Sequence, residues 1–442
     1  MSNLFASLQT ASRALLAFQD AVTVSQNNIQ NAATPGYVKQ RAGFQADPFA
    51  PENGAYGGVG MGPLESFRSQ HAERQVQRQV QSLGTYDAGL SVLKSLEGEF
   101  SADDGSGIAA GITALMSAFS AWSARPNDAA SRQQVIAGAD ALSASIRSVA
   151  AGVVGQGRQV DEQIRETIAG INEIAQRISA YNRARRSTGQ ADPGLDAQLH
   201  ADLERLSEFA DFNTVYQPDG TVTVFLGGET PLVLGERAHP ISAEFPAVRI
   251  LDESGADISG QIHGGRLAGL LGVRNETIGG LIGRGSEMGS LNRLARDIAD
   301  QVNAAMAPGP PLFSYEASRP AAIALSLSVA AGITPEALVA GNPAGGASNG
   351  IASRLAQLAE SFSGKYGSIA ADLGRQVNRA QEGRNRASEG AAQASALRSE
   401  LSGVSLDEEA ARLVELQRAY EAAAKTVGVL DELTQTVLGL LR

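Results

Sequence analysis

The residue types that carry chemistry are sparse in this chain and do not converge. His71, His200, His239 and His263 lie far apart, without the i,i+4 or short-loop spacing of a metal site. They read as surface or packing residues. Ser91 and Lys94 in "SVLK" fit a Ser-x-x-Lys nucleophile pattern, but the wider signature is missing and the stretch reads as one face of a helix. "GGVGMG", residues 57–62, lacks the Gly-x-Gly-x-x-Gly spacing and does not lead from a strand into a helix, so it is no nucleotide cradle. Arg183, Arg185 and Arg186 form the densest basic cluster and read as a solvated helix end. With no cysteine in the chain, disulfides, thiolate metal sites and cysteine nucleophiles are excluded together. The expectation is a chain with no catalytic, cofactor-binding or metal residues, hence no cofactor and no enzymatic role.

Composition narrows the class further. A net charge of −11 without a long Lys/Arg run opposes binding to a polyphosphate backbone, so nucleic acid is not an expected partner. A hydrophobic content of 43% excludes wholesale disorder, while an aromatic content of only 5%, with Trp122 the single tryptophan, points to an aliphatic, alanine-rich core of packed helices. The first twenty residues carry one cation and no small-residue cleavage pattern, so no secretory signal is expected there. Nowhere do about 18 apolar residues run uninterrupted, which gives no expected membrane span.

Helical periodicity dominates the pattern. Leu4, Leu8, Ala11, Leu15, Phe18, Val22, Ser25 and Ile29 follow four-three spacing, and every one except Ser25 is apolar. Thr34 and Pro35 end that helix, because a residue before proline avoids the helical region and Pro-Gly favours a turn. Residues 43–62, rich in Gly, Pro and Ala, read as an irregular extended connector. Ile108, Ile112, Leu115, Phe119 and Trp122 form a second stripe. A third, from about residue 130 to Tyr181, implies roughly 50 helical residues and about 75 Å of length, hence a rod-like molecule. Between 212 and 262 the period changes to two: "NTVYQPDGTVTVFLGG" is strand, turn, strand, and "AVRILDESGADI" reads as a second hairpin. Helical spacing returns at Leu267–Met306 and again over 351–401, with a loop-like stretch between.

The last helix opens at "SLDE", where Ser405 and Glu408 form a capping box and Asp407 and Glu409 add charge at the positive helix end. Beyond it Leu413, Leu416, Tyr420, Ala423, Val427, Leu430, Thr434, Val437 and Leu441 alternate three-four to the penultimate residue. Chain ends are ordinarily polar and frayed, and an isolated helix of this length is marginal in water. The two stripes are therefore expected to pack on each other, on copies of the chain, or on both. An intramolecular hairpin closing a bundle is the simplest version.

The motifs at these two ends are specific. "NNIQNAATPGYVKQR", residues 27–41, resembles the N-terminal signature of the bacterial flagellar axial proteins (rod, hook and hook-associated proteins), with Asn28, Asn31, Thr34, Pro35, Gly36 and Tyr37 in place. The C-terminal stretch is similar to that family's C-terminal signature through Gly403, Val404, Leu406, Asp407, Glu408, Glu409, Gln417, Tyr420 and Ala424. "YQPDGTVTVFLGGETPLVLG", "GGRLAGLLGVRNETI" and "LNRLARDIADQVNAAM" resemble the branch at the hook–filament junction. In one respect the chain departs from that branch: about 40 loop-like residues stand where a sizeable outer β domain often follows the "QVNAAM" helix.

The resemblance implies a mainly α, elongated, layered architecture in which the terminal helices pair as a coiled coil in the inner wall of a hollow tube. The implied units are 1–65 with 391–442 as the inner terminal domain, 66–211 with 263–390 as a helical middle domain, and 212–262 as a small β insertion. Leu4, Leu8, Leu15, Phe18, Val22, Ile29, Leu413, Leu416, Tyr420, Val427, Leu430, Val437 and Leu441 become the assembly interface, and Thr34, Pro35, Gly36 and Tyr37 the turn between layers. Implied partners are further copies of the chain in a ring, the hook protein, the second junction protein or filament base, and an export chaperone on the C-terminal helix. The implied location is the extracellular flagellum, reached by type III export without a cleaved signal. Another axial component (hook, distal rod or second junction protein) or a secreted helical binding module is the alternative.

Overall fold

A computed structural model describes residues 2–50, 55–100, 107–188, 192–341 and 348–439. Leu441 lies outside the described residues. The chain is mainly α. It opens with helix α1 (Ser2–Gln30), followed by strands β1 (Gln40–Ala46), β2 (Phe49–Ala50), β3 (Ala55–Tyr56) and β4 (Val59–Ser66). Helices α2 (Gln70–Phe100), α3 (Gly107–Ala124), α4 (Ala129–Thr188) and α5 (Pro193–Phe209) come next. The β insertion holds β5 (Phe212–Tyr216), β6 (Val222–Leu226), β7 (Thr230–Leu234), β8 (Arg237–Ala238), β9 (Ser242–Glu244) and β10 (Arg249–Leu251). The return path is α6 (Gly265–Gly272), a π-helical turn (Val273–Ile278), α7 (Gly279–Ile282), α8 (Ser290–Met306), β11 (Phe313–Ser314), α9 (Ile323–Ser326), β12 (Ser328–Val329), α10 (Gly350–Ala356), α11 (Ala359–Ser402) and α12 (Leu406–Gly439).

The backbone of the molecule is α4, a single helix of 60 residues, about 90 Å long at the standard rise. Its apolar stripe, from Val135 through Leu142, Val153, Ile164 and Ile171 to Ile178, is buried along its length, so other elements must cover every turn. Helix α3 packs on its first half, and α2, α5, α6 and the β insertion on the rest, while α11 lies against α2. Helix α3 is the one described helix long and apolar enough to cross a membrane by composition. Its stripe, Ile108, Ile112, Leu115, Phe119 and Trp122, is instead buried in this core.

Asparagines on inner helix faces tie extended segments to this frame, each using its amide as a substitute peptide. Asn182, fully buried on α4, accepts from Val222 N and donates to Val222 O, both at 2.8 Å. Asn172 does the same for Ile241 at 2.9 Å. Asn303 on α8 holds Leu312 and Phe313, and Asn292 holds Ala324. The described part of the stretch after α8 is therefore folded onto the helical core, with Leu312, Phe313, Ile323, Leu327 and Leu338 buried.

The structure corrects several sequence expectations. The described residues of 43–62 are no irregular connector: β1 and β4 pair antiparallel from Gln40↔Ser66 to Ala46↔Val59, with a register shift between Ala42 and Phe44. Gly43 sits at that shift, facing the Gly62–Pro63 backbone, and the glycines that read as connector permit the bulge and the close approach. The second hairpin is present but short, closed by the Leu251↔Asp257 bridge with Asp252 N donating to Ala256 O at 3.0 Å and Ile258 N to Ile250 O at 2.8 Å, and β10 gains a further partner upstream in β9. The segment 267–306 is interrupted by the π turn and again at Gly283, whose φ of +88° ends α7. Nor is the Arg183–Arg186 cluster simply solvated, because Arg186 pairs with Asp219 at 3.3 Å and Glu236 at 3.1 Å on the β insertion.

Candidate assembly surface and interlayer turn

The two chain ends meet. Helices α1 and α12 run antiparallel, because Ser25 near the end of α1 contacts Glu409 near the start of α12, and Ala21 shares a cluster with Leu416. That cluster of Ala21, Ala42 and Leu416, with Phe18, Val22 and Val24 against it, shares no residue with the main core. The ends thus form a structural unit with a very small core of its own.

Of the residues expected at the assembly interface, Leu416 is buried at 6% exposure. Leu4, Leu8, Leu15, Phe18, Val22, Ile29, Leu413, Tyr420, Val427, Leu430 and Val437 are only half-buried. Pairing within one chain covers these stripes incompletely. Outside the stripes, Phe5 and Leu16 on α1, and Val414, Val429, Leu433 and Leu438 on α12, are 47–59% exposed. A groove of about 800 Å³ also runs between β1 and α12, with Phe18, Phe44 and Leu416 as its apolar lining. An apolar surface of this extent on a helix pair marks a contact face.

Polar groups fix how the pair sits. Ser25, 2% exposed, donates from Oγ to Glu409 Oε2 at 2.7 Å, and Lys39 Nζ lies 3.6 Å from Glu409 Oε1. Glu408 does not close the expected capping box. Ser405 Oγ accepts from Glu408 N at 3.4 Å, but the Glu408 carboxylate turns to Lys39 Nζ at 2.8 Å, and that partner holds it below the usual carboxylate range. Charge on Asp407 and Glu409 in the same first helical turn still complements the dipole.

The Thr34–Tyr37 turn is held by Asn28. Buried at 1% exposure, its Oδ1 accepts from Gln40 N at 3.0 Å and Tyr37 Oη at 2.9 Å, while Nδ2 donates to Gln40 O at 2.8 Å. Burial, with Glu409 nearby, pushes the Tyr37 hydroxyl up to about 12, so it stays a donor. Asn31 Oδ1 accepts from Thr34 Oγ1 at 3.1 Å, which closes the exposed side of the turn around Thr34 and Pro35. Gly36 adopts φ +73° and presses onto α5, where an added Cβ would lie 2.2 Å from Ala197 O.

A buried ionic network then joins the turn to the middle helices. Arg68 donates to Gly36 O at 2.7 Å, to Asp196 Oδ2 at 2.8 Å and to Glu73 Oε1 at 2.8 Å. Arg398 on α11 bridges Glu73 and Glu204 at 3.3 and 2.6 Å. Each charge is paired, as burial requires. Next to the network His200 stacks on Tyr216; burial, then the Arg68 charge, lowers the His200 pKa. Ser91 and Lys94 are exposed on α2, and Lys94 donates to Gln381 at 2.9 Å. Among the described residues no three His, Cys, Asp or Glu side chains group as a metal site.

Sequence reasoning did not reach the Ser25–Glu409 pair, Lys39, or the Arg68, Glu73, Asp196, Arg398 and Glu204 network. A signal existed for the first. Extending the α12 spacing back from Leu413 lands on Glu409, and Ser25 was the one non-apolar member of the α1 stripe.

The family described as the flagellar hook-associated protein FlgK helical domain matches residues 93–318, just over half of the chain. The flagellar basal body rod FlgEFG protein C-terminal family matches residues 395–440. The chain is 24% identical to flagellar hook-associated protein 1 of Bacillus subtilis (strain 168) over 502 positions, covering 99% of this chain and 98% of that protein. The solved flagellar hook junction protein FlgK of Burkholderia pseudomallei is similar over 55% of this chain and 46% of its own, at 22% identity and a TM-score of 0.49.

Proposed function

Because the chain belongs to the flagellar hook-associated protein FlgK family, we propose that it is a structural subunit at the junction between hook and filament of the bacterial flagellum. The observation that supports this reading most directly is the helix pair made of the two chain ends, which has almost no core of its own and leaves apolar faces uncovered on both helices. Burying a Leu or Val side chain contributes roughly 1.5–3 kcal/mol, so covering Leu16, Val414, Val429 and Leu433 with neighbouring copies would drive addition to a tube wall.

In this reading the inner unit, 1–65 with 391–442, supplies the tube wall. The middle unit, 66–211 with 263–390, forms the next layer, and 212–262 decorates it. The half-buried stripes Leu4–Ile29 and Leu413–Val437 tighten when neighbours press the pair together, and the Thr34–Tyr37 turn sets the angle between layers. The hook protein lies on one side and the second junction protein or filament base on the other. Export proceeds by the flagellar type III route, with a chaperone shielding α12 beforehand. The role is mechanical, not catalytic.

Purified, gold-labelled chain added to isolated flagellar structures tests the reading. Labelling confined to hook tips is expected. Labelling at rod tips or on growing filaments would reassign the chain within the axial proteins, and no labelling anywhere would remove the structural role.

A further inference from the structure

The two apolar stripes do not by themselves choose one alignment. On α1 the stripe repeats with a period of seven through Leu4, Leu8, Ala11, Leu15, Phe18 and Val22, and on α12 through Leu413, Leu416, Tyr420, Ala423, Val427 and Leu430. Sliding one helix past the other by seven residues, about 10 Å, again sets apolar against apolar. Such a pair is degenerate. Two stripe positions are different: Ser25 on α1, and Glu409, four residues before Leu413 on α12. They are buried at 2% and 1% exposure, and they bond to each other at 2.7 Å. Any slip separates them and leaves a buried carboxylate without the hydroxyl, a state that desolvation penalises heavily. Thr434, the other polar member of the α12 stripe, bonds its own helix at Leu430 O and so marks no partner.

We infer that Ser25 and Glu409, with Lys39 as the cation, form a register lock that selects one alignment of the terminal helix pair. Lys39 immediately precedes β1, on the segment leading out of the Thr34–Tyr37 turn, so the lock also ties that alignment to the turn. Its backbone N–H donates to Ser402 O at 3.0 Å, at the end of α11. The consequence rests on the proposed function: the locked alignment fixes where the exposed Leu16 on α1 and Val414, Val429 and Leu433 on α12 stand relative to one another for a neighbouring subunit. The lock itself is a property of the single chain and stands or falls without it.

The chain has no cysteine, so spin labels at Gln9→Cys and Glu415→Cys, both exposed positions, report the alignment as an inter-label distance in the full-length protein. One narrow distance is expected for the parent and for Glu409→Gln, which keeps an acceptor for Ser25. Glu409→Leu is expected to keep its helix content and add a second distance displaced by about 10 Å. A single unchanged distance in Glu409→Leu overturns the lock. So does a parent without one defined distance, or a Glu409→Leu chain whose helices no longer pair at all, which would make Glu409 a residue of pairing strength instead of alignment. Hook-tip labelling by the gold-labelled parent without spin labels, scored separately, tells failure of the lock from failure of the assigned role.

Discussion

Gly36 and Ala197 lie so close that no side chain fits between them: a Cβ on Gly36 would stand 2.2 Å from the Ala197 carbonyl oxygen and 2.9 Å from Ala201 N. The Thr34–Tyr37 turn is therefore more than a chain reversal. It is docked, backbone on backbone, onto α5.

Gly36→Ala meets both this clash and a positive φ of 73°, and should cost about 1–3 kcal/mol at the junction. Limited proteolysis is expected to release the terminal unit faster while the fragment spanning α2 to α8 stays resistant. An unchanged digestion pattern would show that the contact does not hold the layers.

Arg68 and Glu73 are both buried, with side chains 8% and 9% exposed. Removing one partner strands the other, so Arg68→Met should lose about 3–5 kcal/mol. Arg68→Met combined with Glu73→Leu should recover part of it, since Asp196 and Arg398 keep exposed edges. Thermal unfolding of the three variants checks the order.

Asn28→Ala removes three hydrogen bonds at a buried position and leaves the Gln40 backbone groups unpaired, at about 1–3 kcal/mol for each unsatisfied group. Tyr37 adds a pH dependence. Its folded-state value of about 12 lies above the ordinary 10, so the neutral hydroxyl stabilises the fold fully below pH 10, and that contribution is lost as pH rises toward 12. The unfolding temperature followed between pH 9 and 12 should fall more steeply for the parent than for Tyr37→Phe.

Charge on the exposed face separates assembly from folding. Leu433→Asp, 48% exposed in the parent, should leave the single chain's helix content and unfolding temperature within ordinary surface-mutation limits of about 0.5 kcal/mol. Incorporation at hook tips should nevertheless fall at least tenfold. Leu15→Asp and Leu430→Asp, on the half-buried stripes, should weaken the pair itself while the middle unit stays folded.

Much of this was readable in the residues, for reasons that differ by element. The stripes of α1, α3, α4 and α12 are long and strictly periodic, and Pro35 and Gly36 mark the turn by local sterics alone. The β1–β4 ribbon was hidden because Gly43, Gly60 and Gly62 carry no alternating apolar signal, and the ribbon packs against α1. Strand β10 closes the forward hairpin through Leu251 and Asp257, as "DESGAD" turn chemistry suggests, while its second partner β9 carried no signal because Ser242–Glu244 is only three residues long. The Arg68 network joins residues from position 36 to position 398, and no spacing rule reaches that far.

Hydrogen–deuterium exchange across α1 and α12, in the free chain and again in the chain bound at hook tips, tests the central claim most directly. The account predicts faster exchange in these two helices than in α3 and α4 while the chain is free, and strong added protection along both on assembly. Protection in the free chain already equal to that of the assembled state would contradict it.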